Sequence, residues 1–291
     1  MRCLRVSATG PLTTVQDLGR PGRAALGVGP SGAADRAALR LANRLVGNPE
    51  GAAALEVTLG GLEVRAGDEL VVALTGAPSP AAVDGRAVAS YAVVALRAGQ
   101  LLTLAAPLTG LRTYVAVRGG IDVPAVLGSR STDVLAGIGP PALAAGDTLP
   151  VGHPPPGFPA VDVAPVAPPV GGDLVLRVVI GPRADWFAPE ALRLLARTSW
   201  EVTPDSDRVG MRLSGPRLRR ARAGELPSEG MVRGALQVPP SGQPTLLLAD
   251  HPVTGGYPVI AVVPDRDADR AAQARPGQRL RFHPLAPASP T

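Results

Sequence analysis

The stretch Ala54-Leu-Glu-Val-Thr-Leu-Gly-Gly-Leu-Glu-Val-Arg-Ala-Gly-Asp-Glu-Leu-Val-Val-Ala-Leu-Thr75 decides the fold. Three short runs rich in aliphatic and β-branched residues, at 54–59, 62–65 and 70–75, are parted by Gly60-Gly61 and by Ala66-Gly67-Asp68. Apolar runs this short, bounded by turn residues, read as strands and not as helices. Outward from this stretch the pattern repeats at 4–7, 91–96, 101–105 and 113–117, with further turns at Asp84-Gly85 and Ala98-Gly99. A barrel or a sandwich is expected. One helix interrupts it at 33–46, where Ala38, Leu41, Ala42, Leu45 and Val46 form an apolar stripe opposite Arg36, Arg40 and Asn43. Gly47 and Asn48, before Pro49, end it.

From His153 to Gly172 the chain reads HPPPGFPAVDVAPVAPPVGG. Proline at this density removes backbone donors and forbids helical angles, so the stretch reads as a linker between domains at 1–152 and 173–291. The second domain is also mainly β, with strands expected at 174–180, 200–203, 235–238, 245–248, 259–263 and 279–283 and a short helix at 189–197 that begins with proline.

At 291 residues with 45% hydrophobic content, the chain can bury a proper core. Its 29 basic residues are all arginine. Without lysine there is no Schiff-base lysine and no lysine of a phosphate-binding P-loop, so any nucleotide would be handled by another chain. The net charge of +5 comes with only 3% aromatic residues, and the arginines are scattered except at 217, 219, 220 and 222. No nucleic-acid partner is expected. Cys3 is the single cysteine, and His153, His251 and His283 lack ligand spacing, so neither a disulfide nor a metal centre is expected. The N-terminal residues lack the apolar core of a signal peptide and no run is long enough to span a membrane, which fits a soluble, cytoplasmic protein.

Several segments carry polar chemistry. Gly27-Val-Gly-Pro-Ser-Gly32 matches GxGxxG before a helix, with Glu56 where a ribose-binding acid would fall, but no buried strand precedes it and no βαβ series follows. A nicotinamide site is therefore not expected. Gln16, Asp17 and Arg20 in Thr13-Thr-Val-Gln-Asp-Leu-Gly-Arg20 lie in a loop that reads either as local ion pairs and caps or as a binding surface, together with Ser31, Asp35 and Asn43. The segment Arg118–Pro124, followed by Gly128-Ser-Arg-Ser-Thr-Asp133, offers arginine, hydroxyls and carboxylates on glycine-bent backbone. It is suited to a carboxylate or bicarbonate, and equally to a hairpin with Ser or Asx turns. In the second domain, Gln237, Asp250 and the Thr254-Gly-Gly-Tyr257 turn flank an apolar strand, as side chains at a small-molecule site do. Asp207-Arg-Val-Gly-Met-Arg212 places an acid beside two arginines, and Ser228-Glu-Gly230 is a turn or a site element. No GxSxG is present, and Ser241 and His251 lack the arrangement of a nucleophile and its base.

Seven motifs occur in one order: TTVQDLGRPG, ALRLANRLVGN, ALEVTLGG, YVAVRGGIDVP with LGSRSTD, DRVGMRL, GALQVPPSGQP, and DHPVTGGYP with AQARPGQRLRF. Over nearly the whole chain they resemble the biotin-dependent carboxyltransferase family. That family includes the C subunit of ATP-dependent 5-oxoprolinase, the KipA-type antagonist of a kinase inhibitor, and the second half of the urea carboxylase carboxyltransferase region. The resemblance implies two cyclophilin-like β-barrel domains with a few short helices. It also implies two partners, a KipI-like B subunit with a third, the A subunit, and a lactam or amide substrate. ATP would be used by the complex, and biotin, if used, would come on a separate carrier because this chain has no lysine to hold it. The site residues it implies are Asp250 and Gln237 as catalytic, with Arg208, Arg212, Ser228, Thr254, Gly255, Gly256, Tyr257 and Gln273 binding substrate. The sequence departs from the family pattern at Ala33-Ala-Asp35 and at Gly139-Pro-Pro-Ala142.

Overall fold

Where the chain crosses Gly60-Gly61 it leaves one sheet and enters another. The computed structural model describes residues 2–159, 161–224 and 226–285. Among these, Ala54–Thr58 lies in a five-stranded antiparallel sheet ordered Leu12–Gln16, Ala54–Thr58, Arg112–Val117, Leu70–Gly76, Val93–Leu96. Leu62–Ala66 lies in a six-stranded sheet ordered Thr148–Pro150, Cys3–Thr9, Leu62–Ala66, Leu101–Leu104, Ala81–Val83, Arg86–Val88. One core forms between the sheets, with Leu62, Val64 and Leu102 from the six-stranded sheet against Leu55, Val57, Val72, Leu74 and Val115 from the five-stranded one. Leu62 and Val64 alternate with the less buried Glu63 and the exposed Arg65, as a strand with one face inward should. The 70–76 run is apolar almost throughout because its sheet is covered on both faces. Ala54, Ala73, Tyr114 and Ala116 point the other way and pack under a helix.

That helix, α1, spans Arg36–Leu45. The sequence pattern starts it at residue 33, but the N–H groups of Ala34 and Asp35 are taken elsewhere: Ala34 donates to Glu56 Oε2 at 2.9 Å and Asp35 to the Tyr114 hydroxyl at 2.8 Å. Asp35 then caps the helix, its Oδ1 accepting from Ala38 N at 2.9 Å. Tyr114 donates to Glu56 Oε2 at 2.6 Å, and burial together with the charges of Glu56 and Asp35 pushes its phenol well above its ordinary value. The apolar stripe also differs from the expected one. Leu39 is fully buried and Leu41 only partly so. Asn43, placed on the polar face by its type, is buried and donates to the carbonyls of Glu50 and Ala52. Gly47, at φ +70, closes the helix in the left-handed conformation.

The second unit is a closed seven-stranded barrel: Leu174–Ile180, Val259–Val262, Ala235–Gln237, Thr245–Leu247, Gly210–Ser214, Ser199–Val202 and Arg279–Pro284, which pairs in parallel with the first. Leu174, Leu176 and Val178 point into it beside Trp200 and Phe282. Helix α2 spans Pro189–Arg197, as its N-terminal proline predicts. Helix α3, Asp265–Ala271, gives no signal in the sequence, because seven residues are too few to show a helical period. Its Asp267 is held by Arg177 of the barrel, through the backbone N–H at 2.7 Å and the guanidinium at 2.8 and 3.1 Å. Burial would raise this carboxyl, but the bonds from Arg177 outweigh burial and hold it below its ordinary value.

By internal contacts the first unit holds the residues up to Arg20 with Ser31–Asp133 and Gly137–Pro169, and the second holds Pro21–Pro30, Val134–Ala136 and the residues from Val170. The proline-rich stretch runs along the first unit. Val93 N donates to Asp162 O, Ala164 N donates to Tyr91 O, and Arg118 sits 4.6 Å over the Phe158 ring. Ala160, Glu225 and residues 286–291, which fall within the expected linker and second domain, lie outside the described residues, as does Met1. No helix among the described residues is long and apolar enough to cross a membrane.

A Cβ at Gly60 would sit 2.2 Å from the Ala105 carbonyl oxygen at φ +72, whereas one at Gly85, in the type I′ turn with Asp84, would meet nothing within 4 Å. Gly60→Ala should therefore cost about 3 kcal/mol or more and Gly85→Ala about 1 kcal/mol, read from calorimetric melting. Because the folded carboxyl of Asp267 is depressed, its contribution is complete above its ordinary value of 3.8 and is lost as pH falls through the folded value. In Asp267→Asn, the urea midpoint of the second unit should fall less than wild type between about pH 6 and about pH 3, followed by tryptophan fluorescence.

Candidate functional site

The barrel strand Ala235–Gln237 carries a bulge where it pairs with Val259–Val262, the register slipping between Leu236 and Gln237. A bulge re-aims the side chain that follows it. Gln237 is buried and donates from Nε2 to Met231 Sδ at 3.1 Å and to the Tyr257 carbonyl at 3.3 Å. Both partners accept, so the amide nitrogen is fixed toward them and Oε1 is left facing away as an acceptor. Over this glutamine lies a two-stranded ribbon, Glu229–Gly230 paired with Thr254–Gly255 and extended by Met231 N donating to Val253 O at 2.8 Å. A Cβ at Gly255 would come within 2.6 Å of Gln237 Nε2, so glycine is what lets the ribbon approach the amide.

The ribbon is tied to the barrel by Arg183, whose Nε donates to Glu229 Oε1 at 2.8 Å and Oε2 at 3.0 Å, with Nη2 adding a third contact. These bonds hold the Glu229 carboxyl below its ordinary value and raise Arg183. Glu229 lies in the Ser228-Glu-Gly230 segment read above as a turn or a site element, whereas Arg183 carries no signal beyond the Gly181-Pro182 turn that follows the first barrel strand.

Asp250 and Arg208, expected in separate roles, are each other's partners. Arg208 Nε donates to Asp250 Oδ2 at 2.9 Å and Nη2 to Oδ1 at 3.0 Å, with both side chains at most 1% exposed. Val134 N also donates to Oδ2 at 3.1 Å, and Asp250 N to Arg208 O at 3.0 Å. Asp207, the acid beside Arg208 in sequence, instead accepts from Val209 N and Gly210 N in its own turn. The chain from Asp250 leads directly into Thr254–Tyr257, so the ion pair fixes one end of the segment that crosses Gln237.

Of the ten expected site residues, Gln237, Ser228, Thr254, Gly255, Gly256 and Tyr257 therefore gather at the ribbon or flank it, with Thr254, Ser228 and nearly half of Tyr257 exposed. Arg208 and Asp250 form the supporting pair. Arg212 points outward and donates to the Asp205 carbonyl at 3.3 Å, and Gln273 is buried just past α3, its N–H on the Arg270 carbonyl. His251 is buried with Nδ1 at 2.9 Å from the Pro252 carbonyl. Among the described residues no group of three or more His, Cys, Asp or Glu side chains is placed to hold a metal ion.

In the first unit, Arg118 is consumed by structure, donating to the carbonyls of Val46, Pro155 and Gly157. Asp17 does not pair with Arg20. Its Oδ1 accepts from Gly19 N and from the Ser129 and Ser131 hydroxyls, and its Oδ2 from Arg130 N, which joins the two polar loops. Residues 12–16, read as part of the first of those loops, form a strand. Glu56, serving Ala34 and Tyr114, is buried beneath α1.

The family model for the carboxyltransferase domain, subdomain A and B, matches residues 26–284. The chain belongs to this family. It is 41% identical over 282 residues to the C subunit of Escherichia coli 5-oxoprolinase, covering 96% of this chain and 90% of that one. It is 37% identical to the C subunit of Haemophilus influenzae 5-oxoprolinase, covering 92% and 87%. The solved structure of the K. lactis urea amidolyase superposes with a TM-score of 0.89 at 31% identity, over 98% of this chain. The chain spans 19% of that structure and 56% of another that it matches, so it corresponds to one part of larger proteins there.

Asp250→Ala leaves Arg208 buried without its carboxylate and should destabilise the second unit by about 3 to 5 kcal/mol. Urea unfolding followed by Trp186 and Trp200, the chain's two tryptophans, both in that unit, measures it.

Proposed function

We propose that this chain is the C subunit of an ATP-dependent 5-oxoprolinase, which opens the lactam of 5-oxoproline to glutamate together with partner subunits. The match to a relative named as the C subunit of 5-oxoprolinase carries the reading, since it covers 90% of that relative, whereas the match to the urea amidolyase structure covers 19% of that one. The chemistry agrees with it. A lactam presents an N–H donor and a carbonyl acceptor, and Gln237 offers Oε1 as an acceptor beside the half-exposed Tyr257 ring and the Thr254 hydroxyl. Asp250 acts through Arg208 by fixing the segment that bears Thr254–Tyr257. Opening the ring breaks the C–N bond, places the oxygen of water on the carbonyl carbon and leaves the nitrogen as the amine of glutamate. The amide is stable, so this hydrolysis draws on ATP. With no lysine for a P-loop, the nucleotide falls to a partner, the KipI-like B subunit or the A subunit.

A second reading, carboxyl transfer to urea or a related amide, is favoured by the likeness to the urea amidolyase. It requires a biotin carrier on another chain. A regulator that binds a KipI-like kinase inhibitor without turnover is the third, and it predicts a complex with no activity.

The test is ATP-dependent glutamate release from 5-oxoproline by this chain mixed with its two neighbouring-gene partners, each omitted in turn. Release only from the complete mixture is expected. A tight, inactive complex would overturn the enzyme reading in favour of the regulator, and release that persists without this chain would overturn it altogether.

A further inference from the structure

The run Arg217, Arg219, Arg220 and Arg222 takes no part in the candidate site above, and the second unit places all four around one cavity of about 560 Å³. Leu218 and Pro240 also line it, and none of its lining residues is acidic or aromatic. The segment that carries the arginines is held from both sides. On one side Leu218 N donates to Gly242 O at 3.0 Å, Arg217 Nη2 to the Pro240 carbonyl at 2.9 Å and Arg220 Nη2 to the Val238 carbonyl at 2.6 Å. On the other, Ala188 N donates to Arg219 O at 3.2 Å and Ala221 N to Trp186 O at 2.8 Å. The buried Leu218 anchors the segment in the barrel core. A Cβ at Gly242 would come within 2.3 Å of Arg217 Cγ, so glycine is what lets that stem lie against the backbone.

The charge around this cavity is not balanced among the described residues. Arg222 Nη2 meets Asp185 Oδ2 at 2.7 Å. Arg217 and Arg220 reach only carbonyls, and the Arg219 side chain has no partner. Three like charges are thus gathered on one wall with most of their N–H groups unclaimed, and they repel one another until an anion enters. Because backbone bonds hold the segment that bears them, the anion meets an arrangement already formed.

We infer that this cavity binds a condensed phosphate, the short chain of phosphoryl groups that free polyphosphate and the tail of a nucleoside triphosphate share. Paired phosphate oxygens match the planar fork of a guanidinium, and a compact ligand with several negative charges meets Arg217, Arg219 and Arg220 together. The volume lies within the range of roughly 300 to 1,000 Å³ that small-molecule sites occupy. With no aromatic ring in the lining there is nothing to stack a base, so the site reads phosphates and leaves any nucleoside outside it. The site does not rest on the proposed function, and nucleotide hydrolysis at a partner's site stands or falls separately.

The experiment is calorimetric titration of the full chain with tripolyphosphate, ATP, inorganic phosphate and hexaglutamate. Saturable binding of tripolyphosphate is expected, at least about tenfold tighter than inorganic phosphate or hexaglutamate, and weakened at least about tenfold when Arg217→Gln and Arg219→Gln are combined. Both side chains are exposed, so this double variant should keep the wild-type melting temperature. Arg197→Gln combined with Arg279→Gln removes the same charge from two exposed positions that do not line the cavity, and should leave binding unchanged. The comparison of probes needs no variant, so it decides the matter even if one fails to fold. ATP binding as tightly as tripolyphosphate supports the site with a nucleotide tail as its ligand, and ATP binding at least about tenfold more weakly supports it with free polyphosphate. No saturable binding, or an equal loss in the two double variants, overturns the site and leaves a general cationic surface. Hexaglutamate binding as tightly as tripolyphosphate overturns the phosphate assignment in favour of an acidic segment of another protein.

Discussion

The contact between Arg208 and Asp250 is the constraint on which the candidate site depends. Two opposite charges are taken wholly out of water, and only a bidentate geometry with additional backbone donors makes that tolerable. Replacing such a pair with apolar residues could stabilise a fold, so its presence argues for position over stability. It holds the start of the segment that runs through Val253 to Tyr257, which then pairs with Glu229–Gly230 and closes over Gln237. The Arg183–Glu229 pair performs the same task from the other strand of the ribbon. An uncharged glutamine is thereby held by charged neighbours that neutralise one another, leaving an acceptor presented in a setting of little net charge. That suits a neutral amide group better than an anion.

The first unit solves a different problem. Its two polar loops are joined by one carboxylate, Asp17, which takes donors from both. The same junction buries Arg20 with no countercharge. In the second unit the buried Arg208 and Arg233 each have carboxylates, and in the first Arg118 has three carbonyls and an aromatic ring.

Much of the fold was legible because strand signals are local. The runs between Gly60-Gly61 and Gly67-Asp68, and the Asp84-Gly85 turn, state their conformation in adjacent residues. The position of Gln237 beside Gly255 and Tyr257 was also legible, because one short segment carries them. The pairing of Arg208 with Asp250, 42 residues apart, was not. Asp207 is adjacent to Arg208 and makes a plausible partner, but its short side chain is claimed by the N–H groups of its own turn. Asn43 departs from its expected face for a related reason: its type reads as surface, while the carbonyls of Glu50 and Ala52 need its amide in the interior. The start of α1 is shifted by Glu56 and Tyr114, which lie on other strands and take the two N–H groups that would have begun it. In each case a partner distant in sequence decides the outcome.

The central claim is that this chain presents the amide-recognising residues of a lactam-opening complex, and Gln237 is where that claim is most exposed. The direct measurement is the steady-state rate of glutamate formation by the complete mixture with Gln237→Ala in place of wild type, together with the mass of the assembled complex. The account predicts a loss of at least about tenfold in kcat/KM with assembly unchanged, since a hydrogen bond to the reacting amide is removed and no partner surface is altered. Wild-type turnover by the variant complex would contradict it.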